Sequence, residues 1–149
     1  DMIRIKGIHK QNILAVCGLT TDRDGAAEER HSYRNALSIA EAGYDPEMHF
    51  NAIYDNKVLI GFFMYKRPEY HSETAVICRF MIDDQFHHKG FEEKALEHIL
   101  RGLKIQGVRK VILMMDDADK IAENLSLSSG FRFTGKTDGN EKDCCEFEL

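Results

Sequence analysis

The sequence predicts one α/β (α+β) domain, a mixed sheet with helices packed against it. Two observations predict it. Apolar runs of strand length alternate along the chain with segments that carry apolar residues at helical spacing. The 149 residues contain only two prolines, Pro46 and Pro68, and no internal repeat, low-complexity stretch or linker, so residues 1–149 read as a single domain. A chain of this length buries roughly 70% of its unfolded surface, enough for one core without disulfide or metal staples.

Each element follows from its own pattern. Met2–Ile5 alternates and reads as a short strand. Asn12–Gly18 and Glu28–Gly43 read as helices, the second closing at a glycine ahead of Pro46. Phe50–Tyr54 and Val58–Tyr65 are apolar runs joined by Asp55-Asn56-Lys57, a hairpin by composition and loop length. Ala75–Ile82 reads as a buried strand. Gly90–Ile105 puts Phe91, Ala95, Leu96, Ile99, Leu100 and Leu103 on one face of an amphipathic helix. Val108–Met115 is a further strand. Asp116 or Asp117 then caps a helix carrying Ala118, Ile121, Ala122 and Leu125, which ends at Gly130. Phe131–Thr134 and Cys144–Leu149 close the domain as strands.

Composition excludes several classes. With 43% hydrophobic and 30% charged residues the chain is an ordinary globule, and no apolar run reaches the ~18 residues of a membrane span. A net charge of −5 argues against a general nucleic-acid binder. No basic, apolar leader is visible, and four cysteines without CxxC spacing suit a reducing cytoplasm. The charge is uneven. Residues 19–50 hold seven acids, Glu28, Glu41 and Glu47 among them, against three arginines. Residues 87–110 hold six bases against three glutamates. Solvated faces account for this pattern, and so do two sites of opposite sign, one for an anionic and one for a cationic ligand.

The chemistry concentrates where the Ala75–Ile82 strand runs into the Gly90 helix. A helix N-terminus exposes unpaired N–H groups and a partial positive charge, which suits a phosphate. Arg79-Phe80-Met81-Ile82-Asp83, then Phe86-His87-His88-Lys89-Gly90-Phe91-Glu92, then Ala95-Leu96, resembles the acyl-CoA motif of the GNAT N-acetyltransferase superfamily. Ser32–Ala42 followed by Pro46, the hairpin Ala52-Ile53-Tyr54-Asp55 and Leu59-Ile60-Gly61-Phe62-Phe63-Met64-Tyr65, and the closing Gly130-Phe131 and Thr134-Gly135 are similar to the bacterial spermine/spermidine acetyltransferases of that superfamily. The resemblance spans nearly the whole chain. It implies a GNAT-like mixed, splayed sheet of six to seven strands with about four helices. It also implies acetyl-CoA as cosubstrate, no metal, a small amine acceptor such as spermidine or spermine, and direct transfer. It allows a homodimer, and implies neither nucleic acid nor membrane as partner.

The resemblance also distributes roles. Phe80, Met81 and Ile82 would hold the pantetheine arm through their backbone, with the N–H near Ile82 polarising the thioester carbonyl. His87, His88, Lys89, Gly90, Phe91 and Glu92 fall on the pyrophosphate loop and the helix it opens. Only one of the family's glycines survives there, at Gly90; His88 and Glu92 stand at two others. A carboxylate ~5 Å from a phosphate costs about 3 kcal/mol at an effective dielectric near 20, before screening. In the following helix the family's asparagine falls on Asp119, and the tyrosine that protonates the leaving thiolate falls on Ser126. A serine hydroxyl is a far weaker acid than a phenol, and losing a general acid typically costs ~10²- to 10⁴-fold. Glu28, Glu41 and Glu47 would line the acceptor side, and Glu73, Glu47 and His49 are unranked candidates for the base.

Two further features read as structural. Cys78 is a buried thiol on the strand entering the site, and Cys144-Cys145 would face opposite sides of a strand. His87-His88 has no third ligand at motif spacing and does not read as a metal site. The alternative function carried beside the enzyme is a catalytically impaired GNAT-like domain that binds CoA or a polyamine in a regulatory role.

Overall fold

In the computed structural model, residues 2–21, 34–68, 73–86, 90–114, 132–137 and 144–149 are described. Seven strands form one sheet: β1 (Ile3–Gly7), β2 (Met48–Asp55), β3 (Val58–Lys66), β4 (Thr74–Ile82), β5 (Lys110–Met114), β6 (Arg132–Thr137) and β7 (Cys144–Glu148). Among the described residues three α-helices accompany them, α1 (Ile13–Cys17), α2 (Arg34–Ala42) and α3 (Phe91–Ile105), with a 3-10 turn at Asp84–Phe86. The strand order is β1-β2-β3-β4-β5-β7-β6. Every neighbouring pair is antiparallel except β4 and β5, which run parallel. That one parallel pair needs a crossover, and α3 supplies it.

The hairpin forms because Asn56 accepts a positive φ of 55°, so a two-residue turn joins Asp55 to Val58. The expected apolar face of α3 is buried residue for residue: Phe91, Ala95, Leu96, Ile99, Leu100 and Leu103. It packs on Ile53, Ile60, Ile77, Ile82, Val111, Leu113 and Phe147 to make the larger core. The opposite face of the sheet carries a smaller core in which Val16 of α1 and Ala42 of α2 meet Ala52, Phe62, Met64 and Met81. Gly61 lets β3 press against β4, since a Cβ there would lie 2.4 Å from the Met81 carbonyl oxygen.

Several element bounds differ from the sequence reading. The first strand runs to Gly7 because its pairing with β2 continues to Gly7↔Asn51. The fifth begins at Lys110 rather than Val108, because Arg109 and Lys110 both donate their N–H to the Glu73 carbonyl and only then does pairing with β4 start. The sixth is displaced C-terminally, to Arg132–Thr137, by its register with β7. The helix expected after Asp116 and the first six residues of the helix expected from Glu28 lie outside the described residues.

Candidate active site

β4 leaves β5 part-way along its length. The two pair from Thr74↔Lys110 to Ile77↔Leu113. Met114 then stays paired with Cys144 on β7, while no β4 residue faces it. The cause lies in β4 itself. Its register with β3 passes from Tyr65↔Ile77 to Met64↔Arg79, so Cys78 is the extra residue of a β-bulge. Cys78 is accordingly half-buried, its Sγ 3.7 Å from the Val76 carbonyl oxygen. The expectation of a buried structural thiol is corrected on this point, because a bulged residue belongs to neither face of the pleat.

The bulge also reverses which side chains face which layer. Ala75 and Ile77 belong to the α3-side core, and beyond the bulge Phe80 and Ile82 do so as well. Met81 belongs to the core under α1 and α2. The backbone follows the same alternation. Asp83 donates its N–H to the Ile60 carbonyl at 2.7 Å, which marks that pair as hydrogen-bonded. Counting back, Met81 and Arg79 turn their backbone groups to β3, and Phe80 and Ile82 turn theirs away, into the gap β5 has left.

The gap leads to a helix start. Ile82 passes through Asp83 into the 3-10 turn, and the Phe86 ring meets Phe91 edge-on with centroids 6.2 Å apart. Gly90 caps α3 in the left-handed conformation, φ 76°, with open space where a Cβ would stand. Conformation, rather than a close contact, therefore demands this glycine. The first turn carries Glu92 and Glu93. Both suit the helix dipole and both oppose a phosphate.

The remaining sequence-predicted residues are placed as follows. Phe80, Met81, Ile82, Gly90, Phe91 and Glu92 line the strand–turn–helix path. His87, His88, Lys89, Asp119, Ser126 and Glu28 lie outside the described residues. Glu73 sits at the closed end of the β4–β5 pair, its side chain 73% exposed and 3.9 Å from Arg109. Five residues of extended chain, on the order of 15 Å, separate it from the bulge, so the geometry does not bring this candidate base to the opening. Glu47 is at that same end, where Lys66 spans Asp45 at 3.0 Å and Glu47 at 3.6 Å. The Lys66 hydrogen bond holds the Asp45 carboxyl below its usual range, and the same bond raises the Lys66 ammonium. Glu41 is exposed on the last turn of α2. His49 stacks on Tyr65 with ring centroids 4.8 Å apart, and Tyr65 pairs with Ile77, beside the bulge. Of the three base candidates His49 stands nearest the bulge in register. Burial raises the Tyr65 phenol above its ordinary value.

The sequence reading passed over Asn35 as a buried polar group, and gave no role to the side chains of Arg79 and Asp83. Asn35 and Asp83 are the most deeply buried polar side chains among the described residues, apart from Asn12 close behind. Arg79 bonds Ser38 and Asn35 on α2. A charged residue inside an otherwise apolar strand run, Ala75–Ile82, was the available signal.

The model of the acetyltransferase (GNAT) family matches residues 13–131. The chain belongs to the GNAT family. Its fold is that of solved GNAT structures. The spermidine N-acetyltransferase of Vibrio cholerae, in a complex with CoA and spermine, superposes with a TM-score of 0.67 at 17% identity over 99% of this chain and 94% of that one. A chimera of that enzyme gives 0.69 at 16% identity, covering 100% and 95%. The PaiA N-acetyltransferase of Thermoplasma acidophilum, in complex with coenzyme A, gives 0.63 at 18% identity, with all of both chains covered. No curated protein sequence matches. At such identities the likeness bears on fold. Among the described residues of this GNAT domain, no group of three or more His, Cys, Asp or Glu is placed to hold a metal ion, and no helix is long and apolar enough to cross a membrane.

Proposed function

We propose that the protein is an acyl-CoA-dependent N-acetyltransferase acting on a primary amine, with a polyamine such as spermidine or spermine as acceptor. The parting of β4 from β5 after Ile77↔Leu113 carries the reading. It leaves the N–H and C=O groups of Phe80 and Ile82 facing a gap, where an extended amide-bearing chain can complete the ladder. The residues present fit acetyl-CoA on that count, and Gly90 opens a helix N-terminus at the end of the same strand. The thioester supplies an acetyl group activated for direct transfer. The chain's part is to hold the pantetheine arm along Phe80–Ile82 and to aim the Ile82 N–H at the carbonyl as negative charge grows there. Phe91 and the α3 amides, with His87, His88, Lys89 and Asp119 nearby in the sequence or in the family's pattern, would receive the phosphates. The acceptor amine must arrive neutral, and His49 is placed better than Glu73 or Glu47 to relay its proton. By the resemblance in sequence, Ser126 falls at the position of the family's leaving-group acid.

Support for a polyamine comes from the acids of residues 19–50, Glu28 and Glu41 among them, and from the likeness to fold neighbours described as spermidine acetyltransferases, one with spermine bound. Glu92 and Glu93 in the first turn of α3 favour a second reading, a weakly catalytic domain that binds CoA or a polyamine for regulation. One experiment separates them. Thiol release from acetyl-CoA is followed with spermidine, spermine, a neutral-tailed monoamine and a peptide at matched concentration. Polyamine-dependent release supports the enzyme. A melting shift with CoA and no release under any acceptor supports the regulatory domain, and neither effect defeats both.

A further inference from the structure

We infer that Arg79 and Asp83 are positioning residues for the acyl donor, clamping the Phe80–Ile82 backbone to the α1/α2 layer in place of the neighbour that β5 no longer provides. The inference rests on the reading of that edge as the pantetheine site. A strand paired on one side alone is held by half the usual ladder and opens more readily. A donor bound along such an edge would have to order it at the moment of binding. The two residues bracketing Phe80–Ile82 remove that cost beforehand.

Arg79 does so through a planar fork. Its Nη1 donates to Ser38 Oγ at 3.1 Å and its Nη2 to Asn35 Oδ1 at 2.5 Å. The guanidinium also lies 5.9 Å from the centroid of the Phe62 ring. Asn35, only 2% exposed, passes the connection on by donating Nδ2 to the Val16 carbonyl at 2.8 Å. Arg79 and Asn35 together thus join β4 to both helices of the layer. Asp83 closes the other end. It is 1% exposed, and its Oδ2 accepts the Thr20 N–H while Oδ1 accepts the Gln85 N–H, both at 3.0 Å. Asp84 returns a bond to the Thr20 carbonyl at 2.8 Å, so the two segments grip each other reciprocally. The Asp83 carbonyl accepts from Phe86 at 2.9 Å, which shapes the turn toward Gly90.

Burying a carboxylate and an amide is unfavourable unless every bond is made, and an apolar strand end would cost less. Here the Asp83 carboxylate accepts from Thr20 behind the strand and from Gln85 in the turn that follows it, and the Asn35 amide joins Arg79 to the Val16 carbonyl. These bonds serve alignment.

The test compares Asp83→Asn, which sets an amide N–H₂ against a backbone donor, with Arg79→Lys, which keeps the charge and loses the fork. The first readout needs no ligand. Amide exchange at Arg79 and Met81 should quicken by about tenfold or more in either variant, relative to Ala52 and Ile53 on doubly paired β2. The second is the affinity for CoA by calorimetry, expected to weaken roughly 5- to 20-fold. The third is kinetic: KM for acetyl-CoA should rise by a similar factor while KM for the amine stays within about twofold. If either variant fails to fold, Ser38→Ala removes one acceptor from the fork and should move all three readouts the same way, by about two- to threefold. Uniform quickening of exchange across the sheet, unchanged exchange at Arg79 and Met81, or a fall in kcat with KM untouched would overturn the clamp. Should the unmodified protein bind no CoA, the donor-site reading falls, and the clamp's part in donor binding falls with it. Exchange then still decides whether the two side chains hold the strand.

Discussion

Single atoms decide how closely β3 can approach the site strand, and Gly61 is the position where they do. A methyl group there would stand 2.4 Å from the Met81 carbonyl oxygen and 2.8 Å from Ile82 Cδ1. The first of these is backbone, so the strand itself must move. Gly61→Ala should cost about 1–3 kcal/mol in chemical denaturation. It should weaken CoA binding as well, because the displaced carbonyl lies between Phe80 and Ile82. Glu92 is the converse case, a residue whose removal should help. Its carboxylate stands in the first turn of α3, where a phosphate would meet it as a like charge. Glu92→Gln should tighten CoA roughly 3- to 10-fold at low salt, an effect well inside the Coulomb ceiling at that range. Calorimetry at two ionic strengths reads it; an unchanged affinity would mean that Glu92 turns away from the phosphates. Gly90 was legible in the sequence as a helix opener. Its φ of 76° was not, since a residue pattern reports the need for glycine without saying whether conformation or contact creates it.

Strands and helices carried stronger signals than their junctions. The six apolar positions of α3 recur at helical spacing, and all six are buried, because a long amphipathic helix must put that stripe on the sheet. The bulge at Cys78 was invisible for the opposite reason. It adds one residue to a run, Ala75–Ile82, that apart from Arg79 is apolar throughout, so no regular alternation was there to slip. Bounds that depend on register, such as the start of β5 and the shift of β6, were equally beyond a local pattern. One element-level cluster makes a pH prediction. At the β2–β3 end, Lys66 lowers the Asp45 pKa and Asp45 raises that of Lys66. A lowered carboxylate stabilises the fold above its unfolded value of 3.8, and that contribution is lost as pH falls through the folded pKa. A raised ammonium stabilises below 10.5 and loses its contribution as pH rises through the folded value. Denaturation midpoints of the protein and of Lys66→Met should therefore differ most between about pH 5 and 9 and converge in acid and in strong base. Both side chains are only partly covered, 36% and 32% exposed, so the difference should shrink at high salt. A gap that persists in acid would rule out the ion pair as its source.

At the scale of the whole molecule, the sheet was legible from the order of apolar runs, and the family from strings of residues that stay together in sequence. The opening between β4 and β5 belongs to neither kind of signal, since it is made by strands whose paired residues lie 36 positions apart, which pair for four residues and then part. Charge is likewise a property of the whole chain, and it bears on the acceptor. A net charge of −5 with seven acids in residues 19–50 makes a polycation the amine best attracted at long range. Each exposed carboxylate adds only ~0.2–1 kcal/mol, so affinity for spermine should be modest and should exceed that for spermidine through the extra charge. Raising salt from 50 to 500 mM should increase KM for spermine several-fold and leave KM for a neutral-tailed monoamine nearly unchanged, as the screening length shortens from more than 10 Å to under 5 Å. The attacking nitrogen must also lose its proton, so kcat/KM should climb with pH over the range in which the amine deprotonates. These two dependences oppose each other, because deprotonation that frees the nucleophile also weakens the attraction. The pH profile for spermine should therefore rise less steeply than that for the monoamine. Parallel profiles for the two, with no effect of salt on either, would defeat the polyamine assignment and leave acetyl transfer to another amine standing.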